Sequence, residues 1–227
     1  FMNIAIIPAR KNSKRIKNKN IKFFFGKPVI SYAIKCAKKS KLFDRIIVST
    51  DSEKIAKIAQ KFGAEVPFLR PKKISLDKAN TIDVIKHTLN WLSEKSINPD
   101  YVCCIYPVTP LLTIYDLKKA YFIIKKNNYD FVISSAKYDH PFERSFEIKK
   151  NKIKLFDSKK VNSRTQKLKI FDHDAGQFYW GKKKSWIKNK NILTEKCFAY
   201  RLPKSRAQDV DNIEDWKFVE KIFKLNY

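Results

Sequence analysis

Between positions 10 and 19 the chain carries Arg10, Lys11, Lys14, Arg15, Lys17 and Lys19 with no acid among them, directly after the apolar run Ile4-Ala5-Ile6-Ile7. A buried strand that ends in a basic, turn-rich segment puts backbone N–H groups and cations at the carboxyl edge of a sheet, where open α/β folds bind ligands. Arg10 offers bidentate phosphate contact, Ser13 a hydroxyl, and Lys14 and Lys19 point charges. That set suits a nucleoside triphosphate. Far downstream, Gln208-Asp209-Val210-Asp211 holds two carboxylates two positions apart, which project to one face in an extended chain. Mg²⁺ is commonly held by one or two carboxylates together with substrate phosphates and waters, so the two segments make joint chemical sense. Each alone is commonplace: basic loops are usually solvated, and an Asp ahead of a helix is usually an N-cap.

These groups need elements to position them. Residues 3–8 read as a buried strand; Pro28 opens a helix with Val29, Ile30, Ala33, Ile34 and Ala37 on one face. Residues 45–50 read as a second strand, and Ser52 caps a helix with Ile55, Ile58, Ala59 and Phe62 inward, stopped by Gly63. A third strand is expected over 65–68. Residues 81–94 form a helix with Ile82, Ile85, Leu89 and Leu92 toward the core, 101–106 a strand cut off by Pro107 and Pro110, 116–126 a helix and 130–136 a strand. From 140 to 171 the rhythm breaks into shorter β-like pieces, including 145–156 around a Lys-Lys-Asn-Lys turn. The core resumes over 176–180 and 197–202, and a helix over 212–225 buries Trp216, Val219, Ile222 and Phe223. This alternation predicts an α/β fold with a mainly parallel sheet and helices on both faces. The core is expected to be 2–139 and 172–227, with 140–171 a small protruding subdomain that packs on a second subunit.

At 227 residues, 44% hydrophobic and 14% aromatic, the chain can build one sizeable α/β domain. Its apolar runs, such as 101–108, fall far short of the roughly 20 residues that span a bilayer, and no charged-then-apolar leader precedes the first strand. A cytoplasmic protein without a membrane partner is expected. Cys36, Cys103, Cys104 and Cys197 make no C-x-x-C pair and sit largely in apolar surroundings, which implies neither zinc nor a disulfide framework. The net charge of +27 raises nucleic acid as a partner. The lysines occur in every segment, alongside an excess of Asn, Ile and Phe and only 4 glycines, a composition typical of an AT-rich genome, and no single element gathers the charge. A basic nucleic-acid-binding α/β protein is therefore the alternative of another class, marked by binding that falls steeply with salt and ignores nucleotide. No G-x-G-x-x-G follows the first strand and no G-x-x-x-x-G-K-[ST] occurs, so hydride transfer and ordinary ATPase work recede.

Ala9-Arg10-Lys11-Asn12-Ser13-Lys14, closed by Lys19-Asn20, resembles the A-R-x-G-S-K-x-x-x-x-K-N signature of the cytidylyltransferases that activate sialic-acid-like sugars with CTP. Asn12 stands where that family has glycine, a replacement the turn tolerates because Asn accepts left-handed backbone. Agreement continues through Ser49-Thr50-Asp51-Ser52, through Arg70-Pro71 with Asp77, Ala79 and Thr81, and through Gln208 to Asp211, so it covers nearly the whole chain. Asp174-Ala175-Gly176-Gln177-Phe178-Tyr179-Trp180-Gly181 is similar to the branch that acts on pseudaminic acid, and Tyr106 replaces a glutamine of the sialic acid enzymes. The fold implied is a Rossmann-like, mainly parallel sheet with helices on both faces and a small protruding dimerisation subdomain.

The resemblance implies that Arg10, Ser13, Lys14 and Lys19 bind the triphosphate, that Asn20, Arg70, Ala79 and Thr81 surround the cytidine, and that Asp209 and Asp211 hold Mg²⁺. Tyr106, Thr109, Asp174, Gln177 and Phe178 would face the sugar. His87 reads as structural, and His140 and His173 as further candidates for the sugar site. The reaction implied is attack of the anomeric hydroxyl of a nine-carbon 2-keto acid on the α-phosphorus of CTP, with Arg10, Lys14, Lys19 and Mg²⁺ offsetting charge on the departing pyrophosphate. Pseudaminic acid is the expected acceptor, with legionaminic acid, sialic acid or Kdo as alternatives, and a homodimer is expected.

Overall fold

The first strand, β1 (Asn3–Pro8), is buried from Asn3 through Ile7, and its alternation divides the interior. Ile4 and Ile6 pack on one face of a sheet, Ala5 and Ile7 on the other. The computed structural model describes residues 1–75 and 80–226. After the basic loop, a hairpin of β2 (Phe23–Phe24) and β3 (Lys27–Pro28) turns through Phe25 and Gly26, at φ 43° and 74°. There follow α1 (Ile30–Ser40), β4 (Arg45–Ser49), α2 (Glu53–Lys61), α3 (Thr81–Glu94), β5 (Tyr101–Ile105), α4 (Ile114–Lys126) and β6 (Phe131–Lys137). A separate hairpin, β7 (Phe146–Lys149) and β8 (Lys152–Leu155), precedes β9 (Asp172–Lys182), α5 (Lys183–Lys188), β10 (Cys197–Arg201) and α6 (Ile213–Asn226).

Among the described residues, six strands form one sheet in the order β10-β6-β9-β5-β1-β4, parallel except for β9, which runs antiparallel to both of its neighbours. Apolar stripes of α1, α2 and α4, including Ala33, Ile34, Ile55, Ala59, Leu117 and Ile124, cover one face. On the other face lie Ile82, Ile85, Leu89 and Leu92 of α3 and Trp186 of α5. The mainly parallel sheet with two covered faces is thus as expected. This topology places the loops after β1, β5, β6 and β10, together with the amino end of β9, along one edge of the sheet, and that edge carries the site.

Several local expectations are corrected. The first helix begins at Ile30, not at Pro28, because Pro28 is paired with Phe23 in the hairpin. Residues 65–68 form no strand: Glu65 and Leu69 make only isolated bridges to Ile47 and Thr50, and Pro67 between them has no N–H to give. α4 starts at Ile114 because the Thr113 hydroxyl accepts from the Asp116 N–H at 3.2 Å and caps it. β9 spans 11 residues rather than the expected 176–180, since pairing with β6 continues past a register shift between Ile133 and Ser135 to Asp172. The short α5 has no sequence forerunner. The expected 145–156 β pieces are β7 and β8, joined by Lys150 and Asn151 at φ 47° and 61°, the left-handed pair a two-residue hairpin turn requires.

Gly181 of β9 is fixed by close packing rather than by its dihedrals. A Cβ there would lie 2.5 Å from Trp186 Nε1 and 2.8 Å from the Phe131 ring, and both side chains are fully buried. Trp186 cannot swing away without losing its 3.1 Å hydrogen bond from Nε1 to the Val102 carbonyl. Gly181→Ala is therefore expected to destabilise the protein by about 1–3 kcal/mol, the range of core overpacking, read as a lower urea midpoint at unchanged m-value.

Candidate active site

The loop after β1 is tied down at its base. The Ala9 N–H donates to the Ser49 carbonyl at 2.9 Å, the Lys11 N–H to Asp51 Oδ1 at 2.6 Å, and Asn20 Nδ2 to the Arg10 carbonyl at 2.9 Å. Asn12 is not among the described residues at positive φ; the left-handed residue of the loop is Asn18, at 54°. The turn therefore has no need of glycine at position 12, which corrects the expected reason for its tolerance. Ile16 points down from the loop and is 5% exposed, packed in an apolar cluster with Phe24, Val29, Leu111, Val210, Trp216 and Val219.

Val210 lies in the same cluster at 2% exposure, so Asp209 and Asp211 on either side of it are turned outward. Neither aspartate caps α6. Asn212 does so instead, its Oδ1 accepting from the Glu214 and Asp215 N–H groups at 2.8 and 3.0 Å, and Asp215 accepts in return from the Asn212 N–H at 2.9 Å. Ile16 and Val210 thereby bring the loop and the carboxylates together. Arg15 Nη2 donates to Asp211 Oδ1 at 2.7 Å, Lys19 Nζ stands 3.9 Å from the same oxygen, and Lys19 also donates to the Val210 carbonyl.

Arg10, Ser13, Lys14, Arg15, Lys19 and Asn20 line one side of a cleft of about 640 Å³; Arg70, Asn80 and Thr81, then Tyr106 and Gly176, and finally Asp209 and Asp211 complete it. Arg70 is 6% exposed, and its Nε and Nη2 find no acceptor among the described residues. Burial and the nearby Arg10 make its charge harder to hold, with Asp51 acting the other way. Ala79 and Asp77 lie outside the described residues. Thr81 Oγ1 and the Tyr106 hydroxyl are 2.6 Å apart, and burial pushes the Tyr106 phenol up to about 12, so it is a neutral hydrogen-bonding group.

The other residues expected at the sugar are placed differently. Thr109 is buried, its hydroxyl donating to the Tyr106 carbonyl at 2.9 Å. Gln177 is buried: the Tyr106 N–H donates to its carbonyl at 2.9 Å and its side-chain amide donates to the Arg206 carbonyl. Phe178 faces the core beneath the sheet. None of the three lines the cleft; β9 contributes Gly176 to its wall. Asp174 is exposed, and its carboxylate accepts from the Gly176 N–H at 2.8 Å and from the Tyr179 hydroxyl. His87 packs edge-on against Phe68 at 4.8 Å and lies away from the cleft wall.

Sequence reasoning missed the support behind the carboxylates. Arg206, on the segment leading to Asp209, pairs with Asp116, whose side chain is 1% exposed; Arg206 Nη1 also reaches Thr113 Oγ1 at 3.2 Å, and Tyr200 donates to Asp116 at 3.2 Å. The signal available was an acidic residue at the third position after a Thr cap, which reads as capping alone. Gly176 was missed as a wall: it lines the cleft beside Asp209 at φ +60°, a left-handed backbone that favours glycine.

Electrostatically the cleft is unfinished. Desolvation, then the neighbouring Asp211, raise the Asp209 pKa, while Lys19 helps to hold it down. Desolvation lowers the Lys19 pKa despite Asp209 and Asp211. Both groups would keep their charges more readily beside a cation and an anion respectively. Two outward carboxylates without a third His, Cys, Asp or Glu grouped with them among the described residues are a poor all-protein cage but the donor set Mg²⁺ takes when phosphates and waters complete its shell. The residues therefore fit Mg²⁺ bound with a polyphosphate.

A family model described as cytidylyltransferase matches residues 4–222. The chain belongs to that family. This cytidylyltransferase is 38% identical over 226 residues to a pseudaminic acid cytidylyltransferase of Campylobacter jejuni subsp. jejuni serotype O:2, covering 99% of this chain and 97% of that one. It is 30% identical over 227 residues to a CMP-N,N'-diacetyllegionaminic acid synthase of Legionella pneumophila subsp. pneumophila, covering 98% and 97%. A solved structure of CMP:2-keto-3-deoxy-manno-octonic acid synthetase complexed with CTP superposes at a TM-score of 0.73 and 12% identity over 100% of both chains, which establishes a shared fold.

Two outcomes follow from the site. Removing the partner of a buried carboxylate typically costs about 3–5 kcal/mol, so Arg206→Ala should lower the unfolding free energy by that amount in a urea titration. Because Asp209 has a raised pKa, the folded state keeps a proton that the unfolded chain has already lost, and stability falls as pH rises from the ordinary 3.8 upward. Asp209→Asn should thus melt at a higher temperature than the wild-type protein at pH 7 without ligands, the two curves converging as the pH is lowered toward 3.8.

Proposed function

We propose that this cytidylyltransferase transfers the cytidylyl group of CTP to the anomeric hydroxyl of pseudaminic acid, a nine-carbon 2-keto acid sugar. The hydroxyl oxygen gives up its proton to solvent and bonds to the α-phosphorus, the bond from that phosphorus to the bridging oxygen breaks, and pyrophosphate leaves. The observation that carries the reading is the meeting of the basic loop with Asp209 and Asp211 in one cleft; the 38% likeness over nearly the full chain supports the acid named.

Arg10, Ser13, Lys14 and Lys19 hold the triphosphate in this reading, and the three cations offset the charge that grows on the leaving pyrophosphate. The polyphosphate restores to Lys19 the anionic surroundings that its burial calls for. Arg70, Asn20, Ala79 and Thr81 surround the cytidine, the unanswered Arg70 donors matching the base's ring nitrogen and carbonyl acceptors. Asp209 and Asp211 would hold Mg²⁺, which when bound supplies positive charge to the phosphates. Tyr106 and Asp174 face the sugar, while Thr109 and Gln177 serve it from behind by fixing Tyr106, and Phe178 packs in the core beneath them.

The reading includes a cytoplasmic homodimer with a core of 2–139 and 172–227. Residues 140–171 pack on the second subunit, supported by the exposed Phe146, Ile148, Ile153 and Phe156 of the β7–β8 hairpin. Among the described residues no helix is long and apolar enough to cross a membrane.

The test is a pyrophosphate-release assay with CTP, Mg²⁺ and a panel of pseudaminic, legionaminic and sialic acids and Kdo. Turnover is expected to be greatest with pseudaminic acid; no release with any of them, together with salt-sensitive nucleic-acid binding, would contradict the reading. Asp211→Ala should lower kcat by at least about 10²–10³-fold. Its exposed pair with Arg15 contributes little to stability, so the variant should retain the wild-type melting curve. Full Mg²⁺-dependent turnover in that variant would remove the metal role.

A further inference from the structure

Four side chains run in a row from the wall of the nucleotide cleft to the protein surface. Thr81 and Tyr106 line the cleft, and their hydroxyl oxygens are 2.6 Å apart. Behind them the rings of Tyr106 and Tyr179 meet edge to face at 5.5 Å, with their hydroxyls in hydrogen-bond contact. The buried Tyr179 donates in turn to Oδ2 of the exposed Asp174. We infer that Asp174 and Tyr179 are positioning residues: they fix the sense of this row so that Thr81 meets the nucleotide as a hydrogen-bond acceptor, and thereby favour cytosine over uracil. The inference rests on the transfer reaction proposed above and deepens it.

The sense of the row follows from where its protons can go. A carboxylate donates nothing, and both oxygens of Asp174 are engaged as acceptors, Oδ1 from the Gly176 N–H at 2.8 Å and Oδ2 from Tyr179. Desolvation raises the pKa of both phenols, that of Tyr106 to about 12, so each has a single proton to give. Tyr179 gives its proton to Asp174 and only accepts on its other side, so Tyr106 donates to it. Tyr106 in turn only accepts from Thr81. The Thr81 hydroxyl therefore directs its proton away from the cleft and its remaining lone pair into it. The opposite sense sets the Tyr179 oxygen lone pair to lone pair against the carboxylate, an unmade hydrogen bond at a buried group.

That polarity decides how a base is read. Cytosine carries an amino group at C4 where uracil carries a carbonyl oxygen. Arg70, on the wall of the same cleft, holds out Nε and Nη2 donors that no described residue answers. Donors from Arg70 and an acceptor from Thr81 match the 2-carbonyl, ring nitrogen and 4-amino group of cytosine taken in order along one edge. Against uracil the Thr81 lone pair faces the 4-carbonyl oxygen, and a site built to accept from an N–H rejects the analogue that lacks it.

The test measures the dissociation constants of CTP and UTP by calorimetry, each with saturating Mg²⁺ and without acceptor, in the wild-type protein, Tyr179→Phe and Asp174→Ala. Tyr179→Phe keeps the ring against Tyr106 and removes the link to the carboxylate; Asp174→Ala removes, at an exposed position, the group that sets the sense. The wild-type protein is expected to bind CTP at least about a hundredfold more tightly than UTP, and each variant to narrow that ratio at least about tenfold. A merely structural defect weakens both nucleotides alike, so an unchanged ratio in either variant, or a wild-type protein that binds the two nucleotides equally, overturns this inference. Pyrophosphate release from CTP with pseudaminic acid then leaves the transferase reading standing, and no release overturns that reading as well.

Discussion

The site depends on one apolar contact between segments far apart in the chain. Ile16 hangs from a loop that is otherwise almost wholly polar, Val210 separates two aspartates, and both sink into the cluster around Phe24 and Trp216. Burying two such side chains contributes on the order of 1.5–3 kcal/mol each, more than the exposed Arg15–Asp211 pair beside them provides. The hydrophobic contact thus sets the geometry, and the charges follow. Asp209 and Asp211 point outward because Val210 points inward, and neither is taken up in capping α6 because Asn212 and Asp215 do that in their stead.

A cleft arranged in this way is electrostatically strained in a useful direction. Its lysine loses affinity for protons and its aspartate gains it, because each is desolvated more than the other compensates. The Arg70 guanidinium has been buried with donors unanswered by the described residues. A natural protein tolerates such costs where a ligand relieves them. In the proposed reading, a metal-chelated nucleotide would bring anions to Lys19, a dication to Asp209 and acceptors to Arg70. Behind the cleft, the Asp116–Arg206 pair ties the carboxylate segment to α4, and Gln177 of β9 donates to the Arg206 carbonyl.

Much of this was legible in the sequence wherever the cause is local. The inward stripe of α2, its Ser52 cap and its Gly63 stop follow from spacing and side-chain type, as does the continuous apolar run of β1. The basic loop and the aspartate pair could be matched because their residue types stand at fixed spacings along the chain. What was illegible is what distant segments do to each other. The length of β9 depends on pairing with β6 across a register shift, the hairpin of β2 and β3 consists of two-residue strands too short to show a period, and the burial of Gln177 and Phe178 depends on which face of β9 meets the core.

The central claim, that the loop and the two carboxylates grip opposite sides of one metal-chelated CTP, is tested most directly by calorimetric titration of CTP with and without Mg²⁺, in the wild-type protein and in the double variant Asp209→Asn, Asp211→Asn. The account predicts that Mg²⁺ tightens CTP binding by at least about tenfold in the wild-type protein and leaves it unchanged in the double variant. Equal tightening in both proteins would contradict it.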